Sequence, residues 1–195
     1  LTGELPSVRV RHRGEEDTRR ERYTPTMDEI RRVLEVLEGW PRMACILLAA
    51  TGARLGEVLG LTWSAVNFQT GAVGLYGKVQ KRRWIHVPPD VLELLRVEHE
   101  LHRPAPEDRV LRCSLKTGRI LGKRIAAACE LARVHRFPPG GFRRAVVQAL
   151  YRSSVAPDVA ARVMGHSMSI AMSNYRQIDD GETRAAVHRA ELGRG

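Results

Sequence analysis

Gly165-His166 stands nine residues before Tyr175 in the stretch VMGHSMSIAMSNY, residues 163–175. A tyrosine phenol is a weak nucleophile until its proton is taken or its pKa is lowered. An imidazole about two helical turns upstream could help a phosphate accept attack by that phenol. Moving a phosphodiester onto a side chain builds negative charge on the non-bridging oxygens. That chemistry needs fixed donors for the charge and an acid for the departing oxygen. Arginine suits the first role, because its planar fork grips phosphate and keeps its charge. Lysine suits the second, because crowding by other cations lowers its pKa. The chain sets such residues at constrained points. Arg54 follows Thr51-Gly-Ala, Lys78 lies between two strand-like runs, and Arg143 follows Pro138-Pro-Gly-Gly.

The elements that must position them are mostly helical. Thr26-Met-Asp-Glu29 is a capping box opening a helix with Ile30, Val33, Leu34 and Leu37 on one face, and Gly39 is read as its end. Met43–Thr51 reads as a buried helix broken by Gly52, and Leu55–Leu61 as a short helix carrying Glu57. The period then changes. Gly71–Gly77 and Arg83–Pro88 read as two short strands, with Lys78-Val-Gln-Lys-Arg82 as a basic hairpin tip. Pro89-Asp90 opens a helix to about Glu100. Further helices are expected at 119–133, 141–153, 157–164, 170–174 and 181–192. The fold class expected is mainly α with a small antiparallel β-sheet (α+β).

Lys and Arg together number 32 against 22 Asp and Glu, a net charge of +10 that favours a polyanionic partner. The longest apolar run, Met43–Thr51, is far shorter than a membrane span, and the charged first thirty residues lack a secretory h-region. Cys45, Cys113 and Cys129 form no CxxC pair and the histidines no HExxH, so no metal site is expected. Reduced thiols, with Cys45 and Cys129 in helix cores, point to the cytoplasm. Residues 1–22 read as a linker or arm following an N-terminal partner domain, and 23–195 as one further domain.

Taken in order, these residues resemble the catalytic domain of a tyrosine recombinase, the phage-integrase class of site-specific recombinases. The family pattern T-G-x-R-x-x-E-x-x-x-L-x-W is matched by Thr51-Gly-Ala-Arg54-Leu-Gly-Glu57-Val-Leu-Gly-Leu61-Thr-Trp63. The hairpin lysine fits Lys78, the second arginine Arg143, the Gly-His box Gly165-His166, and the nucleophile Tyr175. The resemblance covers about Tyr23 to Leu192. It implies that Tyr175 attacks a scissile phosphate of double-stranded DNA and forms a 3′-phosphotyrosyl link. Arg54, Arg143 and His166 would stabilise the transition state, and Lys78 would protonate the departing 5′ oxygen. The link keeps the phosphodiester's energy, so no cofactor is implied. Strand exchange implies a homotetramer on two synapsed sites, monomeric off DNA, in the cytoplasm on the nucleoid.

The chain departs from the pattern at one place. The family's His-x-x-Arg has its histidine three residues before the second arginine, and here that residue is Gly140. The family histidine is implied to take the tyrosine's proton or to orient the phosphate, and glycine can do neither. The next family histidine is replaced by Arg144, a cation but a poor base at neutral pH. A DNA-binding module without catalysis is therefore the alternative. Ordinary readings also stand beside the catalytic ones: Tyr175 as a buried aromatic, His166 as a helix C-terminal cation, Glu57 as a solvated carboxylate. In the catalytic reading Glu57 supports the cationic network by pairing with an arginine. Lys81, Arg82 and Arg83 on the hairpin, and Lys116, Arg119, Lys123 and Arg124 around a helix start, are expected to bind the DNA backbone. Trp63 and Trp84 are expected to pack in the core or hairpin.

Overall fold

Helix α1 (Met27–Glu35) starts where its capping box requires. The Glu29 backbone N–H donates to Thr26 Oγ1 at 3.2 Å, and the Thr26 N–H donates to the Glu29 carboxylate at 2.8 Å. Ile30 and Val33 turn inward, as their spacing predicts. Helix α2 (Gly39–Thr51) begins earlier than the sequence reading placed it. Gly39 opens this helix rather than closing α1, with a left-handed φ of 57° in the connecting turn. Pro41, in the first turn, costs no hydrogen bond there. Most of α2 is apolar and buried, including Ala44, Cys45, Leu47 and Leu48, and it packs against α6.

The computed structural model describes residues 23–76, 82–113 and 118–173. After α2 come α3 (Leu55–Leu59), a 3-10 turn (Trp63–Ala65) and the sheet, β1 (Val66–Asn67), β2 (Ala72–Tyr76) and β3 (Arg82–His86). The order is β1-β2-β3, antiparallel throughout, with Gly74 opposite Trp84 and Tyr76 opposite Arg82. Strand β1 was not expected, since two residues are too few to show an alternation. Then follow α4 (Pro89–His102), α5 (Gly118–Leu131), α6 (Gly140–Arg152) and α7 (Pro157–Met164), with residues 168–173 also helical. The chain is thus mainly helical with one small antiparallel sheet. Lys78, Lys81, Lys116, Tyr175, residues 1–22 and the expected helix at 181–192 lie outside the described residues.

One core joins these elements. Leu95 of α4, Leu121 and Ile125 of α5 and Phe142 of α6 are fully buried together with the apolar face of α2. Cys45 and Cys129 lie in it as expected, and Cys113 is half-buried. Trp63 is buried against Phe68 and His99, ring centroids 6.5 and 5.0 Å away. Trp84 is instead half exposed on the outer face of the hairpin, where the Arg82 guanidinium lies over its ring at 4.5 Å. Among the described residues, no helix is long and apolar enough to cross a membrane.

Candidate active site

Arg54 is held by the turn between α2 and α3. Thr51, the last residue of α2, accepts the Ala53 N–H at its hydroxyl, 3.2 Å away. Gly52 then reverses the chain in the left-handed region at φ 59°. Arg54 becomes the N-cap of α3, and the Glu57 carboxylate accepts its backbone N–H at 2.7 Å. That places Glu57 below the arginine, with its side chain only 5% exposed.

Gly52 also fits a space that admits nothing larger. A Cβ there would sit 2.8 Å from Met164 Sδ of α7 and 3.0 Å from Val146 of α6. Gly52→Ala combines left-handed strain with overpacking and is expected to cost about 2–4 kcal/mol of stability, measured by urea unfolding.

Arg143, on the first turn of α6, draws two turns of chain together. Its Nη1 donates to the Gly52 carbonyl at 2.7 Å, two residues before Arg54. Its Nη2 donates to the Met164 carbonyl at 2.6 Å, two residues before His166. Burial pushes its pKa down to about 10, with Arg54 and Arg83 adding to the fall and Glu57 opposing it. It remains a cation at neutral pH. The charges of Arg54, Arg83 and Arg143 thus act on one another around a single carboxylate.

The His166 turn is built by the end of α7. Gly165 takes a left-handed φ of 62°, and the His166 N–H reaches back to the Ala161 carbonyl at 3.2 Å, a glycine-terminated helix end. Such an end leaves its last carbonyls without helical partners. Here two arginines take them: Arg143 holds Met164, and Arg83 Nε holds the Val163 carbonyl at 3.3 Å. A Cβ on Gly165 would come 3.0 Å from the Arg83 side chain, so this glycine answers a close approach as well as a turn. His166 is half-buried, with Nδ1 3.3 Å from the Ser167 carbonyl.

Arg83 was expected to face DNA, and its guanidinium lies elsewhere. Nη1 and Nη2 each meet one oxygen of Glu57 at 2.8 Å, a fork-to-fork pair with the arginine side chain 14% exposed. The pairing with an arginine expected of Glu57 is therefore made chiefly with Arg83, while Arg54 Nη1 adds a longer bond of 3.3 Å. Burial alone would raise the Glu57 pKa, but the bonds from Arg83 and Arg54 hold it below its usual 4.5. The sequence carried a signal for this. Arg83, Ile85 and Val87 alternate along the strand, which sets Arg83 on the inward side with two buried residues.

The remaining sequence-chosen residues lie at the edges. Arg82 rests on the outer sheet face, within 5.0 Å of the Tyr76 ring as well as over Trp84. Arg119, Lys123 and Arg124 are exposed on α5. Arg144 Nη2 donates to the Tyr23 carbonyl at 2.8 Å. Gly140 is exposed, and a Cβ there would meet nothing closer than Arg144 Nη1 at 3.7 Å. The position has room for a larger side chain.

A model of the Phage integrase family matches residues 23–182. The chain belongs to the phage integrase family. Prophage integrase IntF of Escherichia coli (strain K12) is 32% identical over 136 residues, 67% of this chain and 29% of that protein. The chain thus spans under a third of the length of that integrase. XerH site-specific recombinase, in a post-cleavage complex with a palindromic difH substrate, shares the fold with a TM-score of 0.69 and 20% identity, over 86% of this chain and 53% of that one. A lambda integrase dimer bound to a COC′ core site gives 0.61 and 20%, over 79% of this chain and 48% of that one. In this member of the phage integrase family, Glu57 anchors to Arg83 of β3 and, through it, to the end of α7.

Proposed function

We propose that this chain is the catalytic domain of a site-specific DNA recombinase that cleaves and rejoins duplex DNA through a 3′-phosphotyrosyl link on Tyr175. The observation that carries this reading is the clamp made by Arg143. One guanidinium binds the carbonyls flanking the Arg54 turn and the His166 turn. Three residues far apart in sequence are thereby gathered with an excess of positive charge. Such preorganised donors stabilise a phosphoryl group whose charge grows in the transition state. In this reading Arg54 and Arg143 grip the scissile phosphate, and Lys78 protonates the departing 5′ oxygen. Arg82, Lys81, Lys116, Arg119, Lys123 and Arg124 hold the flanking backbone. Arg83 serves the site from beneath, by fixing Glu57 and the end of α7.

Exchange of strands between two duplexes calls for four protomers on two synapsed sites, acting on nucleoid DNA in the cytoplasm.

The reading is tested with a nicked suicide duplex whose site has been selected from random sequence by binding to the protein. A DNA adduct resistant to denaturant is the expected product. Binding without an adduct would leave the alternative, a DNA-binding module whose catalysis was lost with the histidine that Gly140 replaces.

A further inference from the structure

We infer that Arg144 is a positioning residue: it ties the start of α6 to the segment that enters the domain at Tyr23, and Gly140 is bare so that the guanidinium can lie beside it. The tie stands on geometry alone, and its effect on the chemistry rests on the recombinase reading.

Helix α6 needs holding at its start. It opens on Gly140 and Gly141, and no side chain caps its first turn. Glycine loses much freedom on entering a helix, so such a start frays easily. Arg143 and Arg144 add two cations where a helix N-terminus is already positive, which costs stability unless each finds an acceptor. Both do. Successive helix residues point about 100° apart, so the two arginines leave α6 in different directions. Arg143 reaches the Gly52 and Met164 carbonyls. Arg144 Nη2 reaches the Tyr23 carbonyl at 2.8 Å, across 121 positions of chain.

Tyr23 is a fixed anchor. Its ring meets His135, in the α5–α6 loop, edge-on with centroids 4.4 Å apart. Pro25 is buried, and Thr26 is locked in the capping box of α1. Arg32 of that helix donates to the Ala132 carbonyl, just past α5, at 3.4 Å. The entry segment is thus seated on α1 and the end of α5, and Arg144 joins α6 to that seat. Arg143 is the preceding residue, so the tie bears directly on where its guanidinium is presented.

Gly140 completes the arrangement. It lies one turn before Arg144, at the i, i+4 spacing that sets two side chains beside each other. A Cβ on Gly140 would touch Arg144 Nη1 at 3.7 Å. The guanidinium therefore lies along the face that a side chain at 140 would use. Positions 140 and 144, where this chain lacks histidines of the family pattern, are one structural exchange: the arginine takes the space and the glycine gives it.

Amide hydrogen exchange of the free protein tests the tie, and single-turnover cleavage of the selected suicide duplex tests its use. The reporters are the N–H groups of Gly141 and Phe142, which donate to the Pro138 and Pro139 carbonyls, and that of Glu29, which donates to Thr26. Arg144→Ala is expected to speed exchange at both ends by roughly tenfold. Cleavage is expected to slow by about 10–10²-fold, with duplex binding changed by less than about twofold. Arg144→Lys is expected to recover most of both losses, since one carbonyl can be held by a point donor. Gly140→Ile is expected to speed the same exchange and to add nothing in an Arg144→Ala background. Unchanged exchange in Arg144→Ala overturns the inference. So does a failure of Arg144→Lys to recover, or a cleavage loss matched by an equal loss of binding, which would make Arg144 a phosphate contact. Gly140→Ile effects that are the same with and without Arg144 overturn the part given to the glycine. An unaltered protein that forms no adduct brings down the recombinase reading, while the exchange result still decides the tie.

Discussion

Glu57→Ala is expected to lower the free energy of unfolding by about 3–5 kcal/mol, read from urea denaturation. The size follows from what the substitution leaves behind. The Arg83 side chain is largely buried, and its two terminal nitrogens lose both partners at 2.8 Å. An uncompensated buried charge costs far more than an exposed pair ever contributes. The Arg54 backbone N–H loses its acceptor as well. Arg83→Ala should cost a similar amount, and Glu57→Ala with Arg83→Ala much less than the sum, because both remove one interaction. The same pair sets a pH dependence. The folded pKa of Glu57 lies below 4.5, so its contribution is complete above that pH and is lost as pH falls through the lowered value. Glu57→Gln should flatten this acid limb of the stability profile. A cost below about 1 kcal/mol for Glu57→Ala would mean that the pair behaves as a surface salt bridge and braces nothing.

Arg143→Lys is expected to slow cleavage by about 10²–10³-fold while binding of the same duplex changes little. Lysine keeps the charge but is a point donor on a flexible stem, and it cannot bridge two carbonyls in fixed directions. The carbonyls of Gly52 and Met164 would lose the group that sets the Arg54 and His166 turns relative to each other. Loss should therefore fall on the chemical step, measured in single turnover, more than on affinity, which many phosphate contacts share. Equal losses in rate and binding would make Arg143 a general phosphate contact and not an organiser of the site.

Much of this was legible in the sequence because the signals are local. Thr26 and Glu29 specify their helix start within four residues, and the glycine after Met164 announces the end of α7. The spacing of Arg54 and Glu57 places them on one turn, which is how the carboxylate comes to accept the arginine's own N–H. What escaped depends on tertiary contact. Arg83 sits in a run of basic residues, and runs of charge ordinarily face solvent. Only its alternation with Ile85 and Val87, together with a glutamate 26 residues upstream that had to be buried, distinguishes it from Arg82. Gly39 reads as a stop because glycine ends many helices, yet the same positive φ serves as well to enter one. The carbonyl bonds of Arg143 join residues 91 and 21 positions apart, and no local pattern announces them.

The proposed function rests on Tyr175 becoming covalently joined to DNA. Digestion of the suicide-duplex adduct followed by mass spectrometry tests it most directly. One modified peptide is expected, carrying nucleotide on Tyr175 through a 3′-phosphate, with no adduct from Tyr175→Phe under the same conditions. Nucleotide on any other side chain, attachment through a 5′-phosphate, or an adduct that survives Tyr175→Phe would contradict it.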